Sequence, residues 1–191
     1  MRPNKRDELV RSAKEIFYRH GFNATGMDRI VAETGISKTS MYKHFRTKED
    51  LILATLRLRD EEFRNWLGRR MTELAATPRG QLLAMFDVLG EWFRQPDFRS
   101  CMFIKASSEF QESEHAIHAL SAEHKRLLFD DIRKLACAAG ADDPSTLTRQ
   151  LLTLKEGSIV TAHLGHTKDP AGDARQAAEV LLKAALGPVV D

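Results

Sequence analysis

Apolar residues recur along this chain at intervals of three and four and never in a sustained alternation, so the sequence predicts helices throughout. Residues 5–20 set Leu9, Ala13, Ile16, Phe17 and His20 on one stripe, with Gly21 as the stop. A short helix is expected at about 26–34, opened by Thr25-Gly-Met-Asp28, a capping box with Asp in the Glu position. Thr34-Gly35-Ile36 breaks it, because glycine tolerates a left-handed turn. A second short helix starts at the N-cap Ser37, with Ile36 and Met41 as a hydrophobic staple. Thr47 with Asp50 caps a long helix that runs to about residue 75, where Thr77-Pro78 ends or restarts it. Further helices are expected at about 79–95, 99–112, 114–139, 144–166 and 171–187, separated by Gln95-Pro96-Asp97, Gly140 to Pro144 and Lys168-Asp169-Pro170. The expected fold class is all-α. Residues 1–50 form a three-helix N-terminal domain, and 51–191 form a helical bundle.

Two short capped helices joined by a glycine-containing turn make a helix-turn-helix over residues 26–45. At about 100° per residue, Ser37, Met41 and Phe45 of the second helix share an inward face. Thr39 and Lys43 point the opposite way, flanked by Ser40 and Tyr42, while His44 lies near the inner side. That outward set is small, hydroxylated, cationic and aromatic, which suits base edges and phosphates in a major groove about 12 Å wide. Lys48 falls in the first turn of the next helix, whose free backbone N–H groups favour an anion. Thr25 has the same double role at the start of the shorter helix. Spacing alone fits an ordinary helical hairpin equally well.

Charge sharpens this picture. The net charge of +2 divides into +4 over residues 1–50 and −2 over residues 51–191. Between Glu33 and Glu49 there is no acid, only Lys38, Lys43, Arg46 and Lys48. A basic patch at one end of a mildly acidic body suits contact with a polyanion. With 191 residues, 42% of them hydrophobic, the chain is long enough for one compact domain or two small ones. No stretch approaches the ~20 apolar residues of a membrane span, and the opening MRPNKRDELV leads into no apolar signal segment. Cys101 and Cys137 are too few for a disulfide framework, so a reducing cytoplasm is the expected location.

Residues 5–63 resemble the DNA-binding domain of TetR-family transcriptional regulators. The resemblance runs through Ile16-Phe17, His20-Gly21-Phe22, Thr25, Asp28-Arg29-Ile30, Gly35-Ile36-Ser37, Met41-Tyr42-Lys43-His44-Phe45 and Lys48-Glu49-Asp50-Leu51. It implies a homodimeric repressor that binds a pseudo-palindromic operator in double-stranded DNA and is released by a small apolar or amphipathic effector. Thr25, Tyr42, His44 and Lys48 match positions that hold phosphates. Ser37 caps the recognition helix, and Lys38, Thr39, Ser40 and Lys43 match positions that reach bases or backbone. Thr39 stands where the family usually has a small residue, adding a hydroxyl and a methyl able to touch thymine. Val31 stands where the family prefers Ala. In such proteins the last two long helices pair across a two-fold axis, here Leu151 to Leu164 and Ala174 to Leu186.

The C-terminal body is less distinctive. Phe86, Leu89, Trp92, Phe93, Met102, Phe103 and Phe110 are candidates to line an apolar effector pocket, with Met85 and Phe129 nearby. Lys105, Ser107, Glu109, His163 and His166 are candidates to orient a ligand. As a stripe at helical spacing, the apolar set equally describes a plain core. The alternative reading is a helical metal or redox enzyme with a basic extension. Glu112 and His115 form one E-x-x-H pair with His118 a turn on, and His163 and His166 repeat the spacing. A di-iron bundle needs two such pairs and two further carboxylates, so no metal or other cofactor is expected. Cys101 is expected to be a buried small hydrophobe.

Overall fold

In the computed structural model, which describes residues 4–186, every regular element is a helix. The order is α1 (Lys5–His20), α2 (Met27–Thr34), α3 (Lys38–His44), α4 (Lys48–Leu74), α5 (Pro78–Phe93), α6 (Met102–Glu109), α7 (Ala116–Ala138), α8 (Pro144–Leu164) and α9 (Pro170–Leu186). The all-α expectation therefore holds among the described residues. Most boundaries follow from local capping. Ser37 accepts the Ser40 amide with its side-chain oxygen at the start of α3. Thr47 and Asp50 cap α4 reciprocally, each side chain taking the other's backbone N–H at 3.0 Å. Thr77 and Asp143 cap α5 and α8, each followed by a proline in the first turn, where its missing N–H costs nothing. Gly35 ends α2 at φ +67°, a left-handed conformation that favours glycine.

Two local expectations are corrected. Thr25 does not cap α2. The N-cap is Gly26, with no side-chain cap bond, and the fully buried Thr25 hydroxyl donates instead to the Gly21 carbonyl at 2.7 Å. The loop turns back on itself, the Thr25 amide closing on the Phe22 carbonyl at 3.3 Å, and the hydroxyl is spent on that turn. The second correction concerns α6 and α7, expected to reach 112 and to begin at 114. The Phe110 amide closes α6 onto the Ala106 carbonyl, and His115 Nδ1 accepts the Ile117 amide at the start of α7. Glu112 and His115 thus flank a turn, its carbonyl taking the His115 amide at 2.9 Å, rather than sharing a helical face.

The contacts gather the chain into two units, each drawing on two stretches. The first unit takes residues up to Phe63 together with Cys101–His124. The cut at residue 50 expected from the sequence divides the chain differently, because α6 and the start of α7 join the N-terminal helices. Its core holds Leu9, Phe17, Phe22, Ile30, Met41, Leu51 and Ile52, all without exposed surface. Phe17 and Phe22 stack at 5.4 Å, and burying each such side chain contributes about 1.5–3 kcal/mol.

The second unit comprises Arg64–Ser100 and the chain from Lys125 onward. Here α5, α8 and α9 pack on one another around Leu82, Met85, Phe86, Leu89, Leu151 and Leu182. Lys155 is buried in this unit, its ammonium 2.8 Å from Glu156, which also takes Lys125 at 2.7 Å. Burial alone would push the Glu156 carboxyl up, but Lys155 and Lys125 together bring it down to about 2.

Candidate nucleic-acid interface

The recognition helix α3 is only two turns long, so packing must hold it. Met41 and Phe45 do this, buried in the first unit, and the Arg6 guanidinium covers the Phe45 ring at 5.1 Å. Ser37, expected on the inward face, is exposed, because its hydroxyl is turned to the cap. With the anchors inside, Thr39, Tyr42, Lys43 and His44 are exposed and Ser40 is half-buried. Tyr42 is 44% exposed despite its ring, so it is not a packing residue of the free protein. His44 is also solvent-facing rather than near the inner side. The Phe45 cap leaves the helix with extended backbone, which carries His44 outward while Phe45 turns in.

Charge on this face is sorted. Lys43 and Arg46 make no ion pair among the described residues, while other cations nearby are already engaged. Lys38 donates to Asp28 at 2.7 Å, and that bond holds its ammonium pKa above the ordinary lysine range. Arg29 donates to Glu33 at 2.8 Å, holding that carboxyl below its usual range against the opposing effect of desolvation. Lys43 is therefore the cation on α3 available at no internal cost. Lys48, in the first turn of α4, is half-buried and donates to the Phe22 carbonyl at 3.1 Å. Thr25 lies inside, holding the α1–α2 loop rather than presenting its hydroxyl.

The seven apolar pocket candidates are divided between the two units. Phe86 and Leu89 are fully buried in the second unit. There Trp92 and Phe93 close on Phe98 at 5.0 and 5.2 Å, with the His163 ring 6.4 Å from Phe98. Met102, Phe103 and Phe110 belong to the first unit. Phe103 lies flat on His124, ring centroids 3.7 Å apart at 8°, and Phe110 meets Phe22 edge-on at 6.4 Å. His124 was not singled out by any motif, yet it is buried with Nδ1 2.6 Å from Asp60. Among the ligand-orienting candidates, Lys105 and Glu109 are spent on backbone. Lys105 donates to the Tyr18 carbonyl at 3.3 Å, and Glu109 accepts the amides of Phe22 and Asn23.

A cleft of about 180 Å³ in the second unit lies elsewhere, lined by Arg64, Leu67, Gly68, Met71, Thr72, Gln81, Leu128, Asp131, Ile132 and Leu135. Its floor is apolar, and the Arg64–Asp131 ion pair at 3.2 Å stands in its wall. Nothing in the periodicity separates these residues from core, since α4 and α7 bury other residues with the same spacing. His118 meets the Phe110 carbonyl through Nδ1 at 2.9 Å, and no three His, Cys, Asp or Glu side chains gather at a metal-sized site among the described residues. Cys101 is buried and Cys137 exposed, and neither is in a disulfide. No described helix is long and apolar enough to cross a membrane.

Known proteins match the chain as follows. The family model described as bacterial regulatory proteins, tetR family, matches residues 9–55. The HTH-type transcriptional regulator YjdC of Escherichia coli is 21% identical over 179 residues, 94% of each chain. The HTH-type transcriptional activator FasR of Mycolicibacterium smegmatis is 42% identical over 55 residues, which is 29% of this chain and 25% of that one. Among solved structures, a TetR-family transcriptional regulator from Streptomyces coelicolor superposes with a TM-score of 0.86 at 28% identity, covering 96% of both chains. These matches favour a DNA-binding regulator over a helical metal or redox enzyme.

Proposed function

Because this chain belongs to the TetR family of transcriptional regulators, we propose that it is a dimeric repressor whose operator is read by α3 and released by a small amphipathic effector. The observation that carries the reading is the division of α3, with Met41 and Phe45 buried and Thr39, Tyr42, Lys43 and His44 exposed. Base preference rests on Thr39, Ser40 and Lys43. Tyr42, His44 and Lys48 hold phosphates, which position the protein without reading sequence. Thr25 supports the loop behind them, and Lys38 reaches a phosphate only by leaving Asp28. The site of action is the cytoplasm, where operator DNA is.

One short helix reads too few base pairs for useful specificity, so a two-fold dimer reading half-sites about 34 Å apart completes the function. The dimer face is the exposed side of α8 and α9. Val160, Leu164 and Val180 are 51, 68 and 67% exposed, and Gly157 on the same stripe leaves room for a close helix approach. A cytosolic protein with no partner on such a face would carry an aggregation liability.

The effector belongs in the cleft around Leu67, Met71, Leu128 and Ile132. At about 180 Å³ it has room for roughly one ring and a small substituent, given that a ~150 Å³ apolar cavity holds benzene. The α4 helix carries Lys48 in its first turn and Leu67 and Met71 in the cleft, so an effector that prefers one placement of α4 shifts DNA affinity. By linkage, operator DNA weakens effector binding by the same factor.

The test is selection of bound fragments from genomic DNA by the purified full chain, followed by gel shifts. A recovered two-fold sequence bound far more tightly than random DNA supports the reading. Equal affinity for all recovered and random fragments overturns it.

A further inference from the structure

The peptide plane between Phe22 and Asn23 is held at both of its ends. Its N–H, carried by Asn23, donates to Glu109 Oε2 at 2.5 Å, and the preceding N–H of Phe22 donates to Oε1 at 3.0 Å. Its carbonyl, that of Phe22, accepts from Lys48 Nζ at 3.1 Å. One amide therefore lies between a carboxylate at the end of α6 and an ammonium at the start of α4. Both bonds are charge-assisted, and hydrogen bonds in series polarise one another, so each strengthens the other.

The surroundings are shaped for this contact. Gly21 stands at φ +84°, which disfavours any larger residue, and a Cβ there would lie 3.1 Å from Glu109 Oε1 and press the carboxylate back by a few tenths of an ångström. Asn23 Nδ2 also reaches the Glu109 carbonyl at 3.5 Å. One turn earlier on α6, Lys105 donates to the Tyr18 carbonyl near the end of α1, where a cation favours the negative end of the helix dipole. The Thr25 hydroxyl ties the same loop to the Gly21 carbonyl.

We propose that Glu109 is a positioning residue for DNA binding, holding Lys48 in place through the Phe22–Asn23 amide. The inference rests on the reading that Lys48 holds a phosphate. Its sign sets it apart from plain electrostatics. Removing a negative charge from a protein that binds a polyanion strengthens binding through the general field. Removing this one weakens binding, because the Phe22 carbonyl that orients Lys48 is no longer held in place.

The test measures anisotropy of the full-length protein on its selected operator across a salt series, for wild type, Lys48→Met, Glu109→Gln and the double variant. Glutamine offers one acceptor and turns a donor toward the second amide. Glu109→Gln weakens binding about 5-fold, the scale of coupling within one polar network, and flattens the salt slope toward that of Lys48→Met. The double variant binds no worse than Lys48→Met alone. Unchanged or tighter binding by Glu109→Gln, or losses that multiply in the double variant, overturns the proposal. No effect of Lys48→Met overturns the Lys48 phosphate contact itself and the relay with it, so the two failures are distinct. If Glu109→Gln does not melt like wild type, Lys48→Met carries the test by NMR. Its Asn23 amide proton moves upfield more than that of Phe22, and an Asn23 resonance that stays in place overturns the relay.

Discussion

Lys38, the first residue of α3, holds its ammonium 2.7 Å from the carboxylate of Asp28 in the first turn of α2. The pair joins the two helices of the helix-turn-helix, but with side chains 57 and 83% exposed it contributes little to stability. Its consequence is for binding, since a phosphate that takes Lys38 must first displace Asp28.

Asp28→Asn is therefore expected to tighten binding to operator and random DNA alike, by about 2–5-fold, the scale of one exposed ion pair. Anisotropy at two salt concentrations checks this. The operator-to-random ratio stays constant, because a phosphate contact carries no sequence information.

Lys43→Ala behaves differently. In the proposed function, Lys43 is the unpaired cation of α3 that would reach a guanine edge without breaking an internal bond. Its loss costs roughly 1–3 kcal/mol per half-site on the operator and relaxes preference at one position. Binding to a panel of single-base operator variants reads this out. A uniform loss across the panel moves Lys43 to the phosphate class.

Gly157→Leu addresses the dimer. A Cβ at Gly157 meets nothing within 4 Å, so the protomer accepts the side chain, whereas a partner helix approaching Gly157 does not. Sedimentation equilibrium is expected to show a folded monomer with unchanged helix content. Operator affinity falls with it, because two half-sites no longer act together.

Gly68→Leu fills the cleft from α4. Gly68 also has nothing within 4 Å of an added Cβ, and leucine is about 0.8–1 kcal/mol better than glycine inside a helix. The variant is expected to melt higher and still bind operator. A compound that releases operator from wild type fails on it, while a compound that competes at α3 acts equally on both.

Glu156 supplies a pH signature. Its carboxyl falls from the usual 4.5 to about 2 in the fold, so its contribution is complete above pH 4.5 and is lost as pH falls through 2. Glu156→Gln is expected to cost about 2 kcal/mol at pH 7, discounted for the exposed third of the side chain. In urea titrations the gap between variant and wild type narrows steadily from pH 4.5 toward pH 2. A gap independent of pH assigns the loss to packing around Lys155 instead.

Helix order, helix ends and the recognition motif are legible in the sequence because their causes are local. Burial spacing on one strand of chain, Ser37 and Thr47 ahead of free amides, and Gly35 at a left-handed turn all act within a few residues. The same locality explains why Met41 and Phe45 could be assigned inward and Thr39 and Lys43 outward. Local reasoning failed where a residue had two neighbours to choose from. Thr25 looks like a cap, yet its hydroxyl donates to the carbonyl four residues behind it and leaves α2 without a side-chain cap.

Tertiary structure alone decided how the candidates are shared between units and which polar side chains face backbone. Glu109 is 87 and 86 residues from the amides it holds, and His124 is 64 residues from Asp60. A carboxylate on a helix reads the same in sequence whether it meets water or two backbone amides. Likewise Leu67 and Met71 repeat at core spacing, and only the packing of α4, α5 and α7 leaves a cleft beside them. Periodicity records that a face is buried. What it is buried against depends on which distant helix arrives there, and no local pattern encodes that arrival.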